Sequence, residues 1–229
     1  MSAPVNFNTP DRIIRMAMQN AKLLQKGEDP DSEDYPDMMN RLNDIINLEQ
    51  TQGLKLWLNS SIDLALLNGV GKYTLGPAGG TARSMRVLEA YYTYPNGVSY
   101  ALNLATWNEY NSLSSKSQIG LPNTFFPNKQ QDNLILTLWP VPNLQASLGI
   151  VQVIQQTAVT NLVKLDDKMN FPPEWFIFLH WALADDISSG QSESIMTRCA
   201  NKANAYRQAL QDWDVEDGSI TFTPAYQGR

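Results

Sequence analysis

The sequence predicts an α+β fold in which four main helices, drawn from both chain ends, form a helical body around a β-rich insertion, with an extended C-terminal tail. Three observations predict it. Apolar residues recur at helical spacing up to Gly53, the period falls to two from Leu54, and helical spacing returns after Phe171-Pro-Pro-Glu174 and stops at Trp213. The expected boundaries are residues 1–53 and 166–213 for the helical body, 54–165 for the insertion and 214–229 for the tail.

The first helix is expected over residues 10–26. Thr9 is a good N-cap, Pro10 suits the first helical position, and Ile13, Ile14, Ala17, Ala21 and Leu24 share a face before Gly27. A second helix over 32–52 carries Tyr35, Met38, Met39, Leu42, Ile45 and Ile46 at helical spacing and stops at Gly53. The acids Asp29, Asp31, Glu33 and Asp34 between them lack the turn glycine and closing glutamate of a calcium loop, so they read as a solvated helix start.

From Leu54 the alternation of Leu54, Leu56 and Leu58, and of Ile62, Leu64 and Leu66, predicts strands, and Asn68-Gly69 suggests a hairpin back into Lys72–Leu75. Further strands are expected over 85–92, 98–104, 133–139 and 148–156, giving a small sheet with long loops. Thr106 is expected to cap a short helix bearing Trp107, Tyr110 and Leu113, and Pro140-Val-Pro142 to end a strand sharply. The glycine-rich stretch Gly76-Pro-Ala-Gly-Gly80 lacks both the lysine of a phosphate loop and the spacing of a dinucleotide fingerprint, and a strand follows it. It reads as a turn.

Helices are then expected over 174–188 and 193–213. The first carries Trp175, Phe176, Phe178, Leu179, Trp181, Leu183 and Ile187 around most of its circumference, so it must be buried or pressed against another subunit. Trp175, Phe178 and Trp181 are therefore candidates for an interface with another subunit. The last helix presents Ile195, Cys199, Ala203, Tyr206, Leu210 and Trp213 as one seam. Beyond it, Ile220 and Phe222 alternate with hydroxyl residues ahead of Tyr226, as an added strand or clamp would. Alone, that tail buries too little apolar surface to offset its ordering entropy, so a partner is expected to order it.

Composition excludes several classes. The chain has 229 residues, 43% of them hydrophobic and 17% charged, enough to fold around its own core without disulfides. A net charge of −6 disfavours gripping nucleic acid, and no apolar run is long enough to span a membrane. The N-terminus has neither the basic region nor the apolar core of a secretory signal. With one cysteine and one histidine, no metal site, no cofactor and no catalytic constellation is expected. His180 sits in an apolar helix and Cys199 on an inner seam; Asp166 and Asp167 with Glu174 offer a weak hydrolase pairing.

The ordered set "GLKLW", "LALLNGVGKYTLGPAGG", "RVLEAYY", "WNEYNSLSSKSQIGLPNTFF", "LILTLWPVP" and "LDDKMNFPPEW", followed by two helices, resembles the head-to-tail adaptors of short-tailed bacteriophages, also called connectors or tail tubular protein A. The resemblance spans residues 9–213 and rests on the order of the pieces rather than on one motif. It implies a non-enzymatic virion protein made in the host cytoplasm. The expected assembly is a homo-oligomeric ring, a dodecamer, that docks on the portal protein, lets genomic DNA pass without sequence reading, and holds a tail nozzle protein below. It also makes Ile220, Phe222 and Tyr226 candidates for portal or subunit contact. The competing expectation is a phage-associated glycan-binding or cell-wall-degrading protein, with Tyr91, Tyr92, Tyr94 and Trp107 as stacking platforms.

Overall fold

The computed structural model describes residues 9–52, 58–169 and 171–213, and its helices and sheets make an α+β fold. Helix α1 spans Pro10–Asn20 and α2 spans Asp34–Glu49. Ten strands and a short helix follow: β1 Asn59–Ala65, β2 Lys72–Leu75, β3 Ser84–Thr93, β4 Ser99–Ala101, β5 Asn103–Leu104, α3 Trp107–Ser112, β6 Ile119–Gly120, β7 Thr124–Lys129, β8 Leu134–Trp139, β9 Val141–Pro142 and β10 Ile150–Thr157. Helices α4, Pro173–Ile187, and α5, Glu193–Trp213, complete the described chain.

The helices build one core. Ile13, Ile14 and Ala17 of α1, Leu42 and Ile46 of α2, and Cys199 and Leu210 of α5 all join the buried cluster around α4. α4 is the hub, packed on α1, α2 and α5. Surrounded on most sides, it needs apolar residues around most of its circumference, which explains its weakly amphipathic sequence.

Two helix ends differ from expectation. α1 stops before Ala21 rather than running to residue 26, because Lys22 adopts the left-handed conformation (φ 60°) and the N–H groups of Leu23 and Leu24 turn back onto the Met18 carbonyl. Gly27, the expected stop, lies in the following connection. α2 begins at Asp34, and Asp34 and Asp37 place negative charge in its first turn.

The insertion is not one small sheet. It holds two four-stranded sheets, ordered β1-β10-β3-β4 and β2-β8-β7-β5, with the short parallel ladder β6-β9 beside them. Val87, Tyr92, Val151 and Val153 of the first and Leu75, Phe125, Leu134, Leu136 and Leu138 of the second form a second buried cluster. The expected β1–β2 hairpin does not form. β1 pairs antiparallel with β10 and β2 with β8, so the turn around Gly69 (φ 78°) carries the chain from one sheet to the other. β7, with Pro127 near its centre, was not expected as a strand; the proline is tolerated because β5 pairs only with Thr124 and Phe125, leaving Pro127 beyond the end of β5. The expected strand over Leu54–Leu58 falls largely outside the described residues; Leu58 itself is buried at the entry to β1.

The glycine-rich stretch is a turn between the two sheets. A Cβ on Gly79 would lie 2.0 Å from the Thr74 carbonyl oxygen, so the loop closes onto β2 only with glycine there. The Thr81 hydroxyl accepts the Gly76 N–H (2.7 Å), and the Asn133 side chain accepts that of Ala78 (3.0 Å). These contacts spend the loop's donors internally.

Candidate assembly surfaces

Two of the three aromatic interface candidates on α4 belong to the chain's own core. Trp175 is 2% exposed and Phe178 is fully buried, the two rings meeting edge to face at 5.8 Å. Neither offers a surface to another subunit. Trp181 is half-buried against the same core, with the Arg198 guanidinium 5.9 Å from its ring centroid. Ile177, which the sequence reading passed over, is the exposed apolar residue of α4. The other candidates, Ile220, Phe222 and Tyr226, lie outside the described residues.

Asn20 ties three helices together at the middle of α4. Its side chain contacts His180 Nδ1 at 3.1 Å, and its carbonyl, at the end of α1, accepts from Arg198 of α5. His180 is buried, and desolvation, with the positive charge of Arg12 second, lowers its pKa to about 4. It is a neutral core histidine. The Cys199 thiol is likewise pushed up by burial. At the other end of α5, Arg207 reaches the buried carboxylate of Glu49 at 2.6 Å and lies over the Phe178 ring.

The segment between β10 and α4 is strapped to α2. Asn43 donates to the Leu162 carbonyl (3.0 Å) and accepts its N–H (2.8 Å), while Gln50 Oε1 accepts from Val159 at 2.8 Å. Asp167 accepts the N–H groups of Val163 and Lys164, which lowers its pKa and closes the turn there. Beside this strap runs a groove of about 810 Å³ walled by Pro36, Met39 and Leu165, with Arg15, bonded to Asp11 and Asp29, at its rim. A smaller crevice of about 210 Å³ opens between Met16 of α1 and Phe176 and Ile177 of α4.

A group of exposed aliphatic residues lies elsewhere. β1 and β3 run away from the helical body and β10 runs back, so Ala65, Thr93 and Ile150 form the last rung of their sheet. Around that rung the loops expose Leu67 (60%), Val98 (59%), Leu144 (70%) and Leu148 (69%), with Val70 and Ile150 less so. The opposite end of the sheet meets the helices: the Thr157 hydroxyl donates to the Leu58 carbonyl, and Leu58 closes a small cavity with Glu49, Gln50, Trp175 and Leu179. Four strongly exposed aliphatic residues are thus gathered at the tip farthest from the helical body, while others, among them Leu48, Ile119 and Val163, are exposed elsewhere. Sequence reading did not gather the four at the tip: it placed Val98 and Leu148 at the starts of strands, whereas Leu67, Val98, Leu144 and Leu148 all lie in connections just outside the strands.

The four aromatics proposed as stacking platforms do not form one surface. Tyr92 is fully buried, its hydroxyl donating to the Ala146 carbonyl (3.1 Å), and Tyr94 packs edge-on against it at 4.9 Å. Tyr91 precedes Tyr92 on β3 and so faces the other side of the sheet. Trp107 is exposed but lies on α3 beside Phe126. Among the described residues there is no cluster of three metal-ligating side chains, and no helix is long and apolar enough to cross a membrane.

Comparison with known proteins adds little to this. No family model matches the chain, and no curated protein matches it. Among solved structures it is similar to a chain described as the neck of an empty GTA particle computed with C6 symmetry, at 10% identity and a TM-score of 0.28, over 87% of this chain and 92% of that one. A superposition that loose carries no argument about fold or function.

Proposed function

We propose that this chain is a structural virion protein, the head-to-tail adaptor of a short-tailed bacteriophage. In this reading it is not an enzyme: copies form a ring, a dodecamer by the family resemblance, that docks on the portal, continues the DNA channel and holds the tail nozzle protein. The observation that supports it best is the separation of surfaces. A helical body at one end and an exposed aliphatic tip at the other suit a protein that bridges two different partners, and an apolar patch of this kind marks an interaction site. The net charge of −6 fits a ring through which DNA slides without being held.

Electron microscopy of the full chain, alone and mixed with the portal protein of the same phage, tests the reading. Rings that cap the portal at one end are expected. A chain that stays monomeric and leaves the portal bare in class averages would count against it. Digestion of purified cell wall, or binding of glycans by the monomer, would instead favour the hydrolase or glycan-binding reading.

A further inference from the structure

β1 is the longest free sheet edge among the described residues. It spans seven residues, about 23 Å at roughly 3.3 Å each, and among the described residues pairs on one side only, with β10. The other sheet edges are shorter: β4 has three residues, β2 four and β5 two. Natural edges of this length are blunted by lysine, proline or a bulge. β1, Asn-Ser-Ser-Ile-Asp-Leu-Ala, has none of these, and its only charge is Asp63. Its inward row, Ser60, Ile62 and Leu64, is only half-buried, as expected for a row missing its outer neighbour.

The chain carries a shorter segment of matching pattern. Ser219 to Thr223 alternates Ile220 and Phe222 with hydroxyl residues, and Pro224, which has no N–H to donate, limits the ladder there. The described chain also ends close to this edge. α5 returns antiparallel along α4, Arg207 lies beside Phe178, and six further residues, about 9 Å of helix, bring Trp213 to the level where α4 begins. That is the junction where Leu58 leads into β1. Sixteen residues follow Trp213, about 50 Å of extended chain at roughly 3.3 Å per residue.

We propose that residues 219–223 of one copy add to the β1 edge of a second copy, extending the sheet β1-β10-β3-β4 by one strand. Main-chain hydrogen bonds supply the attachment, while Ile220 and Phe222 continue the row of Ile62 and Leu64. A second copy is the occupant for a directional reason. A chain's own tail, leaving at the start of β1, runs parallel to it, whereas every pairing in this sheet is antiparallel and antiparallel ladders are the more stable. Donating a strand forward and accepting one behind is a heterologous contact, the kind that closes into a ring. The inference rests on the ring reading above.

The test places one thiol on each partner, Ser61→Cys on the exposed row of β1 and Thr221→Cys in the tail, and treats the full chain with a short bis-maleimide. Denaturing gels should show a ladder of multiples of the 25.7 kDa chain. The ladder should vanish when Ile220→Asp and Phe222→Asp are added, with an unchanged circular dichroism spectrum as the control for folding. Cross-linking within single chains, or none at all, overturns the proposal. Mass photometry of the unlinked protein separates the two readings: rings without the tail link defeat this inference alone, whereas monomers at every concentration defeat the ring as well.

Discussion

The single histidine carries the clearest residue-scale consequence. Burial beside Arg12 and Trp181, with Asn20 on Nδ1, keeps His180 neutral down to about pH 4, whereas the unfolded chain protonates its histidine near 6.5. Between those values the unfolded state binds the extra proton. Stability from this residue is therefore present above pH 6.5 and lost as pH falls toward 4, on the order of 1–3 kcal/mol over the window. Urea midpoints of His180→Gln and the parent chain at pH 7 and pH 4.5 should converge at the lower pH; parallel curves would refute the assignment. Gly79 offers a second check. Because its Cβ position falls on the Thr74 carbonyl, Gly79→Ala should lower stability by about 1–3 kcal/mol with the loop's chemistry otherwise unchanged, measurable as a shift in melting temperature.

At the scale of elements, α4 divides its aromatic residues between core and rim. Trp175→Ala opens a cavity among buried neighbours and should cost about 3–5 kcal/mol. Trp181→Ala, at a half-buried position under Arg198, should cost clearly less, about 1–2 kcal/mol, a smaller penalty than its apolar helix suggested from sequence. Equal losses in chemical denaturation would show that both rings are core. The sequence made the helices legible because their signal is local: an apolar face at 3.6-residue spacing marked α1, α2, α4 and α5. It placed their ends poorly where a single backbone angle decides, as at Lys22. Strands were legible as segments, but not as partners. Asn68-Gly69 carries a strong hairpin signal, yet β1 pairs with a strand that begins at Ile150, because register is settled by the cores of two sheets rather than by the turn.

For the molecule as a whole, the sequence-based expectation that the tail serves assembly rather than folding can be tested by truncation. Removing residues 215–229 should leave the circular dichroism spectrum and melting temperature within error while weakening ring formation and portal attachment strongly; a truncated chain that assembles as well as the full one would make the tail a solvated end. DNA binding tests the charge argument. The chain should show no tight, salt-sensitive affinity for duplex DNA, and a steep salt dependence in a filter assay would contradict a sliding channel.

By itself the sequence determined the fold class, the order of helical and strand-rich segments, and the makeup of the glycine-rich turn, because propensity, period and turn chemistry act between residues close along the chain. Only the tertiary structure decided which strands share a sheet, which aromatics of α4 are sealed inside, that Asn20, His180 and Arg198 meet, and that Leu67, Val98, Leu144 and Leu148 gather at one tip while β1, among the described residues, pairs on one side only. Those outcomes depend on residues far apart in sequence being brought together by the packing of two separate cores, and nothing in the local pattern of either partner encodes the meeting.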